Sequence, residues 1–288
     1  MRDKILKKLK EVEELPTISA LFLEITKLLQ SKTSSMAELS RAIHKDPSLA
    51  SKVLKVANSA CYGLRKKVAS LQLALVVLGM KEIARIVSTI SVLDTIKEFG
   101  GTKQKTFDIR FYWRHSVMTG CLATYLAKEV KENFKGECFV AGLLHDIGKI
   151  ALLHFFPEDF IEIRKKAAER EINVYKEEKD YLGITHSEIG GWLAEKWSLP
   201  VHLITPILLH HEPDKAETSK ILTGIVSFAD EISLIYMDDT VETKDLGPLA
   251  NSPAFAVLTG EGKTLDMAKI EADLPRIIRE ADEFMSVC

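Results

Sequence analysis

The run from Glu137 to Phe156 constrains this chain more than any other stretch. Phe139, Val140, Leu143, Leu144, Ile147, Ile150, Leu152 and Leu153 leave it no polar face, so it reads as one core helix. His145 and Asp146 nevertheless sit at its middle. An ionisable pair buried without compensation is too costly to keep. Imidazole nitrogen together with carboxylate oxygen suits a divalent transition metal. A metal there would need further ligands from elsewhere in the chain.

A chain of 288 residues builds one large domain or two modest ones with an ample core. A formal net charge of −2 exerts no general pull on nucleic acid or an anionic membrane. The first sixteen residues, MRDKILKKLKEVEELP, form a charged amphipathic start unlike a signal peptide. Leu71 to Met80 is the most apolar run and is too short to span a bilayer. The longer core run has the length but carries His, Asp and Lys at its centre. These features predict a soluble cytoplasmic protein without a membrane partner. Cys61, Cys121, Cys138 and Cys288 are scattered with no C-x-x-C spacing, which favours reduced thiols over a thiolate metal site or a disulfide framework.

Apolar residues recur at helical spacing nearly everywhere and no segment alternates as a strand does, so the expected fold class is all-α. Helices are predicted over Ile18 to Gln30, after Ser35 with Glu38 at capping-box spacing, and after Asp46-Pro47. Ser70 caps a short apolar helix that stops at Gly79, and Lys81 to Phe99 follows. The polar, glycine-rich segment Gly100 to Thr106 reads as a boundary between two helical lobes. The division expected is 1–104, 105–240, and a C-terminal extension over 241–288. In the second lobe, Asp108 caps a helix from Ile109 to Val130, and Thr185 with Glu188 opens another. Further helices are expected over Asp159 to Arg170, Val201 to His210, Thr218 to Tyr236 and Asp266 to Phe284. The basic cluster Arg65, Lys66, Lys67 reads as a solvated loop; three residues in a slightly acidic chain are too few for nucleic-acid binding.

Seven potential ligands lie on five segments of the second lobe: His115, His145, Asp146, His186, His210, His211 and Asp230. Singly, most have plain explanations. His115 could be a satisfied helical histidine, His210-His211 a polar helix end, and Asp230 an exposed acid. His44, His154 and His202 keep such explanations. One metal would use four to six of the seven, whereas two metals would use them all with one carboxylate bridging. Asp146 is the candidate bridge, since it follows His145 and projects about 100° round the helix from it. Ligands from several helices of a bundle build di-iron and di-manganese carboxylate sites. Nitrogen and oxygen donors favour iron or manganese, with zinc possible.

The order of these ligands, with the strings WRHS, LLHDIGK, HSEIG, HHEP and SFADEIS, resembles the HD superfamily of metal-dependent phosphohydrolases. HDIGK and HHE resemble its HD-GYP branch, which hydrolyses cyclic di-GMP. The G-Y-P element of that branch is replaced here by PDKAETSK, which argues against that activity. LPTIS at Leu15, KDPSLASKVLKVANSACYG from Lys45 and SLQLALVVLGM from Ser70 resemble the HDOD domain. That resemblance runs from about Leu15 to about Ser233. It implies a bacterial signalling module with a signalling-protein partner and a nucleotide as a candidate ligand. Many HDOD domains lack part of the ligand set; this chain holds all seven. The alternative is a working metal-dependent phosphohydrolase or phosphodiesterase acting on a nucleotide or cyclic dinucleotide, with Asp146 and Lys149 as its catalytic residues.

Overall fold

A computed structural model describes residues 1–11, 18–31, 34–59, 62, 64, 66–98, 108–134, 136–237 and 244–286. Among them there are helices and no strands. The first group comprises α1 (Arg2–Lys10), α2 (Ala20–Gln30), α3 (Met36–His44), α4 (Pro47–Ala57), α5 (Leu71–Leu78) and α6 (Met80–Glu98). The second begins with α7 (Ile109–Glu129), α8 (Glu137–Leu144), α9 (Ile147–Phe155), α10 (Pro157–Glu169) and α11 (Val174–Leu182). It continues with α12 (His186–Lys196), α13 (Val201–Leu209), α14 (Lys220–Met237), α15 (Pro253–Gly260) and α16 (Met267–Met285).

The local signals operate as expected. Ser35 and Glu38 close a reciprocal capping box at the start of α3. Asp46 accepts from the Leu49 amide with Pro47 in the first turn of α4. Ser70 caps α5, and Gly79 ends it at φ 84°, a backbone angle that favours glycine. At α12 the Thr185 amide donates to Glu188 Oε2 at 2.9 Å, and the Glu188 amide donates back to Thr185 Oγ1 at 3.3 Å. Thr185→Ala removes half of that box directly beside His186. The expected loss is about 1 kcal/mol of stability, read as a lowered urea midpoint.

Helices α2 to α6 pack on one another, as do α7 to α16, and α6 meets α8 between the two groups. The Arg85 guanidinium of α6 lies 4.3 Å from the Phe284 ring centroid and 5.5 Å from that of Phe139, tying α6 to α16 and α8. Although it comes first in sequence, α1 reaches the second group: Arg2 Nη1 donates to Gly183 O at 2.7 Å and Lys8 Nζ to Phe155 O at 2.6 Å. Helix α16 covers α7 through an Arg114–Asp282 ion pair and a Tyr125–Asp273 hydrogen bond. The proposed boundary segment Gly100 to Thr106 lies outside the described residues, as does Arg65 of the basic cluster.

One expectation needs correction, and two helices were not foreseen. The core run is not one helix, because it breaks at His145-Asp146 between α8 and α9. Asp146 leaves the helical region (φ −99°, ψ 9°), and α9 restarts from it. The helix thereby gives up regular hydrogen bonding where its two ionisable side chains must turn to a common centre. Helix α11 was not expected. Its sequence, VYKEEKDYL, shows charges rather than an apolar stripe, yet it buries Glu177, Glu178 and Leu182. The signals for it were Asn173, whose side chain caps the start, and Gly183, which ends it in the left-handed region. Helix α15 was also unforeseen, though Ser252-Pro253 opens it with a capping serine and proline in the first turn.

Candidate metal centre

All seven predicted ligands come together. His115 arrives from the second turn of α7, and His145 and Asp146 from the break between α8 and α9. His186 opens α12, His210 and His211 follow α13, and Asp230 lies midway along α14. All are buried except His211, which is partly so. Asp230 is only 4% exposed, which rules out the exposed-acid reading.

The two oxygens of Asp146 face different sets of ligands. Oδ2 lies 3.5 Å from both His115 Nε2 and His145 Nε2. On the same side, Asp230 Oδ1 lies 3.0 Å from His115 Nε2 and 3.4 Å from His145 Nε2. Oδ1 of Asp146 lies 3.1 Å from His186 Nε2 and 3.6 Å from His210 Nε2. His211 Nε2 completes this side, 3.1 Å from His186 Nε2. Three groupings of these atoms are compact enough to hold a metal ion: Asp146 with His186, His210 and His211; Asp146 with His115 and His145; and Asp230 with His145 and His210.

Hydrogen bonding on the far side of each ring selects the atom turned inward. His145 Nδ1 donates to Gly142 O at 2.7 Å, and His210 Nδ1 donates to Ile207 O at 3.0 Å. A carbonyl oxygen can only accept, so in the neutral rings the lone pair sits on Nε2. His186 Nδ1 pairs with Glu178 Oε2 at 2.7 Å, and His115 Nδ1 with Ser233 Oγ at 3.0 Å. Nε2 atoms therefore point at one another and at carboxylates. His115 and His145 Nε2 are 3.2 Å apart, and His186 and His210 Nε2 are 3.3 Å apart. Asp146 Oδ1 and Asp230 Oδ1 are buried with no hydrogen-bond partner. With the rings neutral, acceptors converge on acceptors in a dry interior and repel unless positive charge, from protons or from a cation, lies between them. The donor set fits a divalent cation on these grounds, and it lacks the thiolates of structural zinc sites.

The titratable groups feel the same crowding. Burial opposes ionisation of Asp146, but Lys149 and then His145 outweigh it and hold the carboxyl well below its usual range. Burial likewise opposes ionisation of Asp230, which His115 and His145 hold low. His186 is pushed up to about 9 as Glu178 overcomes the cost of burial. Burial pushes His210 down, and it pushes His211 well down with help from His210 and His186. Lys149 Nζ sits 2.5 Å from Asp146 Oδ2.

The sequence reading missed Glu178 and Ser233, which orient ligands rather than act as ligands. Glu178 lay on the unpredicted α11, and Ser233 is separated from His115 by 118 positions. Of the remaining histidines, His44 Nδ1 pairs with its own helix at Ser40 O, His154 packs on Phe155, and His202 lies 3.6 Å from Glu137. None of these joins the centre.

The chain matches the HDOD domain family over residues 15–213. That span includes every candidate ligand except Asp230, so the match ends short of the resemblance read from sequence, which reached Ser233. An uncharacterized protein of Treponema pallidum (strain Nichols) is 27% identical over 221 residues. These residues are 76% of this chain, which spans only 42% of the Treponema protein's length. Two solved structures share the fold. An HDOD domain protein of unknown function from Geobacter sulfurreducens superposes with a TM-score of 0.83 at 24% identity, covering 98% of both chains. A candidate phosphohydrolase from Shewanella amazonensis superposes with a TM-score of 0.76 at 24% identity, covering 97% of both. A family match over more than half of the sequence, on an all-helical fold shared almost end to end, makes this chain a member of the HDOD family.

Proposed function

We propose that the chain is a cytoplasmic signal-transduction module whose HDOD fold carries a two-metal His/Asp centre and acts through a protein partner. The observation that carries the metal reading is the split of Asp146, with one oxygen facing His115 and His145 and the other facing His186 and His210. His115, His145 and Asp230 would hold one cation, and His186, His210 and His211 the other, with Asp146 shared. Iron or manganese suits these donors best. Divalent cations held there would supply Lewis-acid charge neutralisation and activation of water.

A second reading, a metal-dependent phosphohydrolase, is favoured by one specific observation. A cavity of about 330 Å³ is lined by His115, Asp146 and Lys149, so the centre is reachable from outside. In that reading Lys149 fixes Asp146 through its 2.5 Å contact and presents a cation to a phosphoryl oxygen. Elemental analysis of purified protein, followed by assays on cyclic dinucleotides and generic phosphodiesters, separates the readings. Bound metal without turnover supports the signalling module. Turnover that disappears in Asp146→Ala and Lys149→Ala supports the enzyme. Protein free of iron, manganese and zinc, even after growth in their excess, would sink both.

Glu178 supplies a further prediction. It accepts from both the ring and the amide of His186, each at 2.7 Å. Glu178→Gln keeps the shape but weakens the grip on the ring and its basicity. Metal affinity is expected to fall roughly 10- to 100-fold, measured by chelator competition. An unchanged affinity would show that His186 needs no such support.

A further inference from the structure

The cavity beside the centre has a second half that the metal reading does not use. Besides His115, Asp146 and Lys149, it is lined by Phe111, Phe160, Val174 and Leu234, with Tyr112, Asp108 and Arg164. Burial orders these residues from bottom to mouth. His115 and Asp146 are 3% and 1% exposed, whereas Phe111 and Leu234 are 49% and 42% exposed. Each rim residue stands one helical turn from a candidate ligand. Phe111 precedes His115 by four positions on α7, and Leu234 follows Asp230 by four on α14. Residues four apart share a helix face, so each stripe runs from a polar foot to an apolar lip. Phe160 and Arg164 have the same spacing on α10, and Arg164 places a cation beside the apolar wall.

Large apolar side chains so exposed, flanking a cavity that ends in nitrogen and oxygen donors, match a ligand with one anionic end and one apolar body. The cavity also lies near the lower limit of small-molecule pockets, which run from about 300 to 1,000 Å³. We propose that this apolar mouth is a binding subsite for a phosphate monoester carrying a single flat ring system, with Phe111 and Leu234 as its specificity-determining residues. The apolar lips rise from a cavity of about 330 Å³, which matches one ring system better than two, in keeping with PDKAETSK standing where a G-Y-P element would be. The inference rests on the metal centre proposed above, which would anchor the phosphate. The apolar mouth would choose what the phosphate carries.

The test uses the whole chain loaded with manganese, its metal content verified, with phenyl phosphate, inorganic phosphate and cyclic di-GMP as probes in calorimetric titrations. Phenyl phosphate is expected to bind about tenfold more tightly than inorganic phosphate. Phe111→Ala and Leu234→Ala should remove most of that gain while leaving the affinity for inorganic phosphate unchanged. Both side chains are exposed at the cavity mouth, so the variants should keep the wild-type fold and metal content. Cyclic di-GMP is expected not to displace phenyl phosphate. Equal affinity for phenyl phosphate and inorganic phosphate on metal-loaded protein would overturn the subsite alone, as would displacement by cyclic di-GMP. Failure of the protein to take up metal would instead overturn the centre, and the subsite with it.

Discussion

Gly148→Ala is expected to destabilise this protein by at least about 3 kcal/mol and to reduce its metal content in the same step. A Cβ built on Gly148 would lie 1.8 Å from His186 O, 2.7 Å from Gly190 N and 2.8 Å from His186 C. All three are backbone atoms, so no side-chain rotation relieves the clash. Helix α9 or α12 must move, and their contact is among the most extensive in the second group of helices. His186 is the first residue of α12, so the shift acts on a candidate ligand directly. Gly260→Ala serves as the control, since a Cβ there meets nothing within 4 Å. That variant should stay within about 0.5 kcal/mol of the parent. Urea midpoints and elemental analysis on the two variants check the result. An unaltered midpoint for Gly148→Ala would mean that α9 and α12 do not cross so closely.

Asp146→Asn should abolish binding at both halves of the centre. The amide keeps the side chain's volume but loses the negative charge and one of the two acceptor oxygens. Each half of the cluster is built round a different Asp146 oxygen, so one half meets an NH2 group in place of its ligand atom and the other keeps only an uncharged oxygen. Lys149, whose ammonium sits 2.5 Å from Asp146 Oδ2, also loses its counter-charge. Lys149 is 23% exposed, so the loss falls below the roughly 3–5 kcal/mol of a fully buried pair. Metal bound at the proposed centre would supply a second, separable readout. A ligand present at one hundred times its dissociation constant stabilises the folded state by about 2.7 kcal/mol. Wild-type protein should therefore melt several degrees lower after treatment with EDTA, and Asp146→Asn should be indifferent to it. If the variant retained its metal and its EDTA response, Asp146 would not be shared between two cations.

Helix ends in this protein were legible because their causes are local. The Ser35–Glu38 and Thr185–Glu188 boxes, Asp46-Pro47 and the Asp108 cap involve residues within three or four positions of one another. The ligand set was legible for a different reason. His145 and Asp146 stand in a run with no exposed face, so burial and the need for a counter-charge follow from composition alone. Helix α11 was hidden because two of its three buried residues are the carboxylates Glu177 and Glu178, which leaves no apolar stripe to mark it.

The sequence by itself thus determined an all-helical chain, its family and the chemical identity of seven candidate ligands. Tertiary structure alone decided that the core run breaks at His145-Asp146, that Asp146 divides its oxygens between two groups of histidines, and that Glu178 and Ser233 orient two of the rings. It also decided that Phe111 and Leu234, far apart in sequence, frame one cavity. The physical reason is range. Capping and periodicity act within a turn or two, whereas the inward aim of each Nε2 depends on what α7, α12, α13 and α14 bring to the α8–α9 break through packing.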